Sequence, residues 1–593
     1  MITVAGLEEE VFAMLENKSE SAESLQPLRD LMDKCMDDRQ IESDGWNSLL
    51  ELLHNNSAGG FPVTPPVRGS VSVWQVAGYY LRKTGTSCLL GVSTAAHPST
   101  ASHDILLVSP PELLCGSGGV PINDAMKLYS DAISSIVRAL QKQYIPTEHL
   151  LSIARFAGEL EKVAVEGAEK TNFLLLKPKV SSPIGRFLSG VFNGTPLANF
   201  SLPGSDVLIS SPNVVTKILE LVERADVPTV LNFLSIRLMV QLSPFIPHAD
   251  LTDFYGAFLR GRSKSQLPRR KLCLLAVEKA LFPLVYVSYF TARNLRVPAT
   301  RFTRLVGEAA REFSREVDES SLFSAYSKIA IRNVLSSTQF KVLGPNWISE
   351  SGAVGRYLRA LPTVRSPHTA LDSYTALYEA TFLDSMSHGC SQRWGRSIFA
   401  THCWHRRHPR AVFVPLLLFN VSLWDDASTQ SLQIARVGFR VQMCIFDMLL
   451  EESDSPAGEQ PHWLDDATKE NLDRAESCLQ RSLGVPMQER LGILKRNLAA
   501  RIAYKHFQNN RANSATPLTL RLSNGRRLTA AQMFFISLMM QYCESRPSAD
   551  EASWSTRLEW NVALQHQHEM LEAFSCPNDS SAGLSRRCTA ELL

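Results

Sequence analysis

The chain has 593 residues, of which 45% are apolar and 20% charged, so it is long enough for more than one domain and apolar enough for large buried cores. Its 61 basic and 59 acidic residues give a net charge of +2, which provides no argument for nucleic acid or an anionic membrane as a partner. No apolar run reaches the roughly 18 residues that a membrane helix needs, and the start, MITVAGLEEEVFAMLENKSE, lacks the basic segment and apolar core of a signal peptide.

Cysteines and glycosylation sequons bear on the compartment in which the chain folds. Without a signal peptide the chain would be cytosolic, yet eleven cysteines are more than a cytosolic chain usually needs. Sequons of the N-x-S/T type also occur by chance in a Ser-rich chain. They begin at Asn17, Asn55, Asn193, Asn199, Asn420 and Asn578. Together these signals leave a cytosolic and a secreted location open.

The first part of the chain is predicted to be mainly helical. Leucines and methionines at i, i+3 and i+4 spacing predict helices within residues 7–55, and a near-alternating pattern over Ser70–Val108 predicts a few strands. Further helices are predicted at Asn123–Gln143, His149–Ala164, Asn213–Arg224, Val227–Leu242, Leu272–Leu295 and Thr303–Val317. Their apolar faces are continuous and hold no catalytic cluster, so we interpret this part as architecture.

A loop over Gly344–Gly355 predicts a boundary between domains 1–345 and 346–593. After it, the pattern predicts a strand at Arg410–Leu418 and helices at Arg436–Glu452, Asp465–Leu483, Leu491–Gln508 and Thr529–Cys543. Apolar residues surround the helix Arg436–Glu452, as is typical of a helix buried on most sides. At about 100° per residue, one stripe of this helix, here named the charged stripe, carries Arg436, Arg440, Met443, Asp447 and Glu451.

Several segments, in the same order, resemble the neprilysin and endothelin-converting-enzyme family of zinc metallopeptidases. LTAAQMFFISLMMQYCESRP (Leu528–Pro547) is similar to the family's L-T-x-x-Q-x-F-F-I-S…W-C helix. MLEAFSCPNDSSAGLSRRC (Met570–Cys588) is similar to its F-x-x-A-F-x-C-P…C ending. Weaker agreement is found in DKCMDDRQIESDGWNSLLELL, VLISSPNVVTKILELVE and KLCLLAVEKALFPLVYVSYF.

The resemblance implies a mainly α (α+β) fold in which a thermolysin-like lobe and a helical lobe enclose a cleft. It also implies a glycosylated, extracellular or cell-surface ectodomain with the disulfides Cys35–Cys273 and Cys478–Cys588, for which buried free thiols are the alternative. Cys543 and Cys576 match cysteines whose family partners would precede Met1. A truncated sequence is therefore expected, with a shortened cytosolic form as the other possibility.

The family's zinc motif, G-F-x-x-G-H-E-x-x-H-x-F-D, places two histidines one helical turn apart to bind the metal and a glutamate to polarise the zinc-bound water. Aligned without gaps on Gly438-Phe439, the motif's histidine, glutamate and histidine become Met443, Cys444 and Asp447. A thioether is a poor zinc ligand, and cysteine cannot replace the carboxylate as a base. No other H-E-x-x-H occurs in the chain.

The other site motifs of the family are also replaced. The window GILKRNLAARIAY should hold the third-ligand motif E-N-x-A-D, but Gly492 or Ile493 stands at the glutamate, Arg496 replaces the aspartate, and Glu489 lies about a turn too early. The family's transition-state histidine falls at Ser553 and its substrate-carboxylate arginine at Glu559. We therefore predict that catalysis and the zinc cofactor are lost.

Parts of the peptide-binding apparatus are predicted to remain. The family's N-A-Y/F segment, which hydrogen-bonds an extended substrate, aligns with His402, Cys403 and Trp404. Backbone pairing can survive there, because strand addition uses main-chain groups. Arg557 can substitute for the lost arginine only if a deletion between Cys543 and Cys576 shifts the register.

Three rival sites are weaker. His402, His405 and His408 are three apart in THCWHRRHPR, but their neighbours suit an exposed basic loop leading into a strand. Cys444 with Asp447 as a zinc site, or Cys444 as a nucleophile, is less favoured, since Cys444 is predicted to be buried with no histidine nearby in sequence.

The resulting hypothesis is a catalytically inactive pseudopeptidase that binds a peptide or protein partner, without nucleic acid, membrane span or metal. Met443 and Asp447 are expected to face the interlobe cleft. The alternatives are an active zinc metalloendopeptidase and an intracellular helical scaffold. The sequence does not determine the oligomeric state.

Overall fold

The computed structural model of the protein describes residues 4–17, 23–54, 61–63, 71–97, 104–113, 122–139, 147–167, 173–201, 205–260, 267–344, 352–363, 368–387, 394, 397–406, 410–418, 433–451, 463–483, 491–512, 519–521, 525, 527–540, 560–576 and 588. The chain forms two compact units, each built from separate stretches of sequence. The N-terminal unit comprises Glu8–Arg293 and Pro345–Ser397, and the C-terminal unit comprises Met1–Leu7, Asn294–Gly344 and Ile398–Leu593.

Gly344 is the last residue of one stretch of the C-terminal unit, and Pro345 is the first residue of a stretch of the N-terminal unit. This change of unit coincides with the domain boundary that the sequence predicts. The stretch Asn294–Gly344 nevertheless belongs with the C-terminal residues, and Pro345–Ser397 with the N-terminal ones. The two compact units therefore do not correspond to a division of the chain at one position. The division into domains 1–345 and 346–593 stays a prediction.

The N-terminal unit is mainly helical, as predicted. Its helices are most of α1 (Val4–Glu16), α2 (Gln26–Met36), α3 (Asp38–Leu53), α4 (Val73–Thr84), α5 (Ile122–Ala139), α6 (Thr147–Gly167), α7 (Pro183–Phe192), α8 (Pro212–Arg224), α9 (Val227–Gln241), α10 (Ala249–Arg260), α11 (Arg269–Ala292), α14 (Ala353–Ala360) and α15 (Ala370–Ser387). Every helix that the sequence predicts before residue 293 is present, with ends displaced by a few residues.

A four-stranded sheet in this unit has the order β1-β2-β4-β3. Its strands are β1 (Gly91–Ala96), β2 (Asp104–Ser109), β3 (Phe173–Leu176) and β4 (Val207–Ser210). β1 and β2 pair antiparallel from Gly91↔Ser109 onward, β2 and β4 pair parallel, and β3 pairs antiparallel with β4. The predicted strands near Ser70–Val108 are therefore confirmed only for β1 and β2.

The segment SVSVWQVAGYYL, predicted as a strand, instead begins helix α4. Helix α4 packs closely against α7, and this packing stabilises the helical conformation of the segment. The two helix backbones can approach each other because a glycine stands at each point of contact. A Cβ atom on Gly78 would lie 2.2 Å from the Phe187 carbonyl oxygen, and one on Gly190 would lie 2.2 Å from the Gln75 carbonyl oxygen. Tertiary packing thus overrides the β-propensity of the valines and tyrosines.

Helix α11 passes through the core of the N-terminal unit. Among the described residues it is the one helix long and apolar enough to cross a membrane, and 83% of its most apolar stretch is buried inside the protein. Cys273 on α11 forms a disulfide with Cys35 on α2, which confirms the first predicted pairing. We interpret α11 as a core helix of this unit.

The C-terminal unit combines long helices with two small sheets. Its helices are α12 (Arg296–Glu319), α13 (Ala325–Ser337), α16 (Phe439–Glu451), α17 (Asp466–Leu483), α18 (Gly492–Ala512), α19 (Ala530–Met540) and α20 (His568–Ala573). A single π-helical turn, Ile434–Gly438, leads into α16. Cys478 on α17 forms a disulfide with Cys588, which confirms the second predicted pairing.

The larger sheet of this unit has the order β5-β7-β6. β5 (Gln339–Val342) pairs parallel with β7 (Ala411–Val414), and β6 (Trp404–Arg406) pairs antiparallel with β7. All four side chains of β7 are buried, as expected of a central strand. The predicted strand Arg410–Leu418 is thus confirmed but shorter, and a 3₁₀ turn at Leu416–Leu418 ends it. A second sheet pairs β8 (Thr519–Arg521) with β9 (Arg527–Thr529).

Candidate functional site

The predicted helix at 436–452 is present as the π-helical turn and α16, and it is buried on most sides. Val437, Phe439, Val441 and Ile445 are at most 3% exposed. Arg436, Arg440, Met443 and Asp447 of the charged stripe are half-buried instead. These four side chains therefore share a less buried side of the helix.

Cys444, at the position of the water-polarising glutamate, forms a disulfide with Cys403. The sequence predicts Cys403 as a peptide-contact position and Cys444 as a buried thiol, and it does not predict this bond. The two cysteines are 41 residues apart, and their spacing carries no pairing signal. The signal that was available is the resemblance, because the family's edge segment and its zinc helix serve the same site.

The disulfide has two consequences for the local structure. It anchors the residue before β6 to the second turn of α16, so the strand and the helix are held together covalently. It also removes both thiols, because disulfide sulfurs neither titrate nor act as nucleophiles. The alternatives of Cys444 as a nucleophile or as a thiolate ligand are therefore excluded while the bond is intact.

Asp447, at the second histidine position, is paired with Lys495 of α18. Its Oδ1 lies 2.6 Å from the Lys495 Nζ, and the lysine side chain is 7% exposed against 44% for the aspartate. The predicted site residues do not include Lys495, although it stands inside the window GILKRNLAARIAY. This ion pair joins α16 to α18 at the place where both zinc motifs would meet.

The start of α18 is fixed by contacts other than metal ligation. Gly492 and Ile493 are buried, and the Gly492 carbonyl oxygen accepts a hydrogen bond from Arg496 Nη1 at 2.9 Å. Glu476 of α17 accepts from the Leu494 amide at 2.9 Å. Burial raises the pKa of Glu476, and the backbone amides partly offset this. The carboxylate at this helix start therefore caps α18, as acidic groups commonly do at helix N-termini.

His402 lies on the same surface as the charged stripe. Its Nδ1 is 2.6 Å from the Thr401 hydroxyl. Burial lowers the pKa of His402, the charge of Arg440 lowers it further, and Asp447 opposes the change. The structure thus brings His402 and the stripe together, although they are far apart in sequence.

The other predicted site residues divide into two groups. His405 and Trp404 lie in β6, where the Trp404 ring stacks on Phe413 with centroids 5.1 Å apart. His408, Glu489, Ser553, Arg557, Glu559 and Cys543 lie outside the described residues. Within the described part of the chain, no group of three or more His, Cys, Asp or Glu side chains could hold a metal ion.

The donor set at the zinc-motif positions does not fit zinc. Structural and catalytic zinc sites use thiolate, imidazole and carboxylate donors. Met443 offers a thioether, Cys444 is bonded to Cys403, and the Asp447 carboxylate is already neutralised by a lysine. A metal bound to Asp447 would have to displace the Lys495 ammonium, which would then be left buried without its counter-charge.

Comparisons with known proteins identify the family. A sequence model of peptidase family M13 matches residues 4–345. A search of curated proteins finds no match.

Several solved structures are similar over nearly the whole chain. The Mycobacterium tuberculosis zinc metalloprotease Zmp1, solved with an inhibitor, has a TM-score of 0.70 at 13% identity, over 99% of this chain and 92% of that one. PepO from Lactobacillus rhamnosis HN001 has a TM-score of 0.70 at 14% identity, over 99% and 94%. The Haemonchus galactose containing glycoprotein complex has a TM-score of 0.63 at 11% identity, over 98% and 89%. These likenesses confirm the predicted mainly α, neprilysin-like fold.

Proposed function

Since the chain belongs to peptidase family M13, we propose that it is a catalytically inactive member that binds a peptide or a protein partner. The observation that carries the proposal is the Cys403–Cys444 disulfide. In an H-E-x-x-H peptidase the glutamate takes the proton from the zinc-bound water. A disulfide sulfur at that position has no basic site for this proton.

The second support is that the residues at two of the metal-ligand positions have another structural task. Asp447 forms an ion pair with Lys495, and the Gly492 carbonyl oxygen accepts from Arg496. These groups are engaged in contacts within the protein, whereas a catalytic metal site must keep one position open for water. A chain under no constraint would not be expected to fill both motif positions with matched partners.

The binding part of the proposal is supported by the segment His402–Trp404. It leads into β6, an edge strand of the sheet as far as the structure describes it, and strand addition at a sheet edge needs only main-chain groups. The disulfide leaves the backbone of Cys403 chemically intact while fixing its position. A fixed edge loses less conformational entropy when it binds an extended segment. Arg557 remains a proposed contact for a ligand carboxylate.

We extend the proposal to a secreted or cell-surface location. Three disulfides support it, because such bonds persist mainly in oxidising compartments. The sequon residues Asn17, Asn193 and Asn199 are exposed, so they are accessible to glycosylation. Mass mapping of the native protein without reduction tests this: the six cysteines should be found as three pairs, and reduced thiols at these positions would favour an intracellular scaffold.

The test of inactivity uses the purified, oxidised full-length chain. After incubation with zinc and gel filtration, elemental analysis should find far less than one zinc per chain. A mixture of quenched fluorescent peptides should show no hydrolysis that a chelator abolishes. Stoichiometric zinc together with chelator-sensitive cleavage would overturn the proposal in favour of an active metalloendopeptidase.

A further inference from the structure

We propose that the Cys403–Cys444 disulfide is a redox-sensitive latch, which a dithiol opens in the folded protein. Opening the bond releases residues 401–403, here called the latch segment, from α16. The latch operates whether or not a peptide binds nearby, so it is independent of the proposed binding function.

The Cys403–Cys444 bond differs from the Cys35–Cys273 bond in its exposure to solvent. Cys35 and Cys273 are both 0% exposed. Cys444 is 7% exposed, and Cys403 is partly exposed. Thiol–disulfide exchange begins when a thiolate reaches one of the two sulfur atoms, so exposed disulfides are the labile ones. We therefore expect a reductant to attack from the side of Cys403.

The Cys403–Cys444 bond also spans the shortest stretch of chain among the three disulfides that the structure describes. Its cysteines are 41 residues apart, against separations of 110 and 238 for the other two bonds. A cross-link over a shorter loop removes less entropy from the unfolded chain. Because a disulfide and the fold stabilise each other by the same free energy, folding supports this bond less in this respect than the other two.

The latch segment itself depends on the disulfide for its attachment. Thr401 and His402 are exposed, and the hydrogen bond that the structure shows for them joins the Thr401 hydroxyl to His402 Nδ1 at 2.6 Å. That hydrogen bond stays within the segment. Among the described contacts, the disulfide is therefore the one covalent or hydrogen bond that ties the latch segment to α16.

The elements on both sides of the latch have other contacts that hold them. In α16, Ile445 is fully buried, and the Phe446 ring packs against Phe313 of α12 with centroids 4.8 Å apart. β6 pairs with β7, and the Trp404 ring stacks on Phe413. Opening the latch should therefore free the segment and leave α16 and β6 in place.

The opening step is a two-electron reduction of the protein by the dithiol. One thiolate of the dithiol attacks Cys403 Sγ to form a mixed disulfide, and Cys444 leaves as a thiolate that takes up a proton. The second thiolate of the reductant then attacks its own sulfur in the mixed disulfide. Cys403 is released and protonated, and the dithiol ends as a disulfide.

The first test titrates the oxidised full-length chain with dithiothreitol, traps free thiols with N-ethylmaleimide and maps the labelled peptides by mass spectrometry. We expect Cys403 and Cys444 to be labelled at a reductant concentration at least about tenfold lower than Cys35 and Cys273. Labelling of all four cysteines at the same concentration would overturn the proposal. This experiment uses the wild type, so it does not depend on the folding of a variant.

The second test follows the latch segment through the imidazole of His402, whose NMR signal is assigned by its absence in H402Q. Burial and the charge of Arg440 lower the pKa of His402 while the latch is closed. Reduction at the lower concentration should raise that pKa toward about 6.5, because the segment leaves this environment. An unchanged pKa after labelling of Cys403 and Cys444 would show that the bond does not hold the segment.

Two variants separate this bond from the other partly exposed one. In C403S/C444S, the reductant should no longer change the pKa of His402. The matched control is C478S/C588S, which removes a disulfide of the same unit and should keep the response. A response that C478S/C588S abolishes, or that C403S/C444S retains, would overturn the assignment to Cys403–Cys444. Circular dichroism of each variant confirms that the fold is intact.

Discussion

The two ends of helix α18 differ in what their residues do. At its start, Gly492, Lys495 and Arg496 occupy the window of the third-ligand motif, and they contact α16 or their own helix. Further along, Tyr504 and Phe507 pack against the aromatic residues of α19, with ring centroids 5.0–5.3 Å apart. α19 lies within the segment that most specifically resembles the peptidase family.

This difference is the one expected from the proposed loss of the metal. An aromatic core is constrained from all sides by close packing, so few substitutions are tolerated there. Metal ligands are constrained by the metal alone, and once it is dispensable their positions are free to accept an ion pair or a disulfide. In this chain the end of α18 around Tyr504, here called the core end, keeps residues that resemble the family. The end around Gly492 and Arg496, here called the site end, carries new contacts.

The largest effect is expected at the core end. Phe534 of α19 is fully buried in the aromatic cluster, so F534A should lower the free energy of unfolding by about 3–5 kcal/mol through lost burial and a cavity. I536A is the matched control, because Ile536 on the same helix is 36% exposed and should change it by about 0.5 kcal/mol. Denaturant titrations of both variants make the comparison. Similar losses would show that the cluster is not the core of this unit.

At the site end, the Cys403–Cys444 bond should account for about 2–4 kcal/mol of stability, because it cross-links residues 41 apart in the unfolded chain. The variant C403S/C444S should therefore unfold at lower denaturant than the wild type and should still not hydrolyse peptides. C403S/C444S with activity that a chelator abolishes would mean that the disulfide blocks an otherwise competent site.

His506 lies at the core end of α18, and its lowered pKa predicts that the stability of the protein depends on pH. Burial lowers the pKa of His506 to about 4, although Glu308, 3.8 Å away, opposes the change. The unfolded histidine, with a pKa near 6.5, binds a proton that the folded one does not, so stability falls as the pH drops from about 6.5 to about 4. The loss should reach about 3 kcal/mol. Denaturant titrations at several pH values should show a shallower decline for H506Q, and an equal decline would contradict the assignment.

The smallest effect is expected from the Asp447–Lys495 pair. D447N should cost about 1–2 kcal/mol, because it removes the charge of Asp447 from beside the buried Lys495 ammonium. The loss is limited because the aspartate is itself half-exposed. K495M should cost less, since Asp447 remains in contact with water. The double variant D447N/K495M should lie close to the wild type. Strictly additive losses in this cycle would show that the two side chains do not interact.

Local sequence patterns predicted much of this molecule. The helical period located the buried helix around α16 and its half-buried stripe, because the pattern repeats within a few turns and does not depend on distant contacts. The resemblance added the pairs Cys35–Cys273 and Cys478–Cys588, which the structure contains. It also identified Met443, Cys444 and Asp447 as the positions where the zinc motif has changed.

Other features could be read only from the tertiary structure. The helix α4 follows from its packing against α7, which local propensity does not report. The Cys403–Cys444 bond and the Asp447–Lys495 pair join residues 41 and 48 positions apart in sequence. The sequence by itself therefore determined the family, the main helices and the loss of the metal motif. The fold decided which side chains fill the positions of that motif, because only folding brings such distant residues into contact.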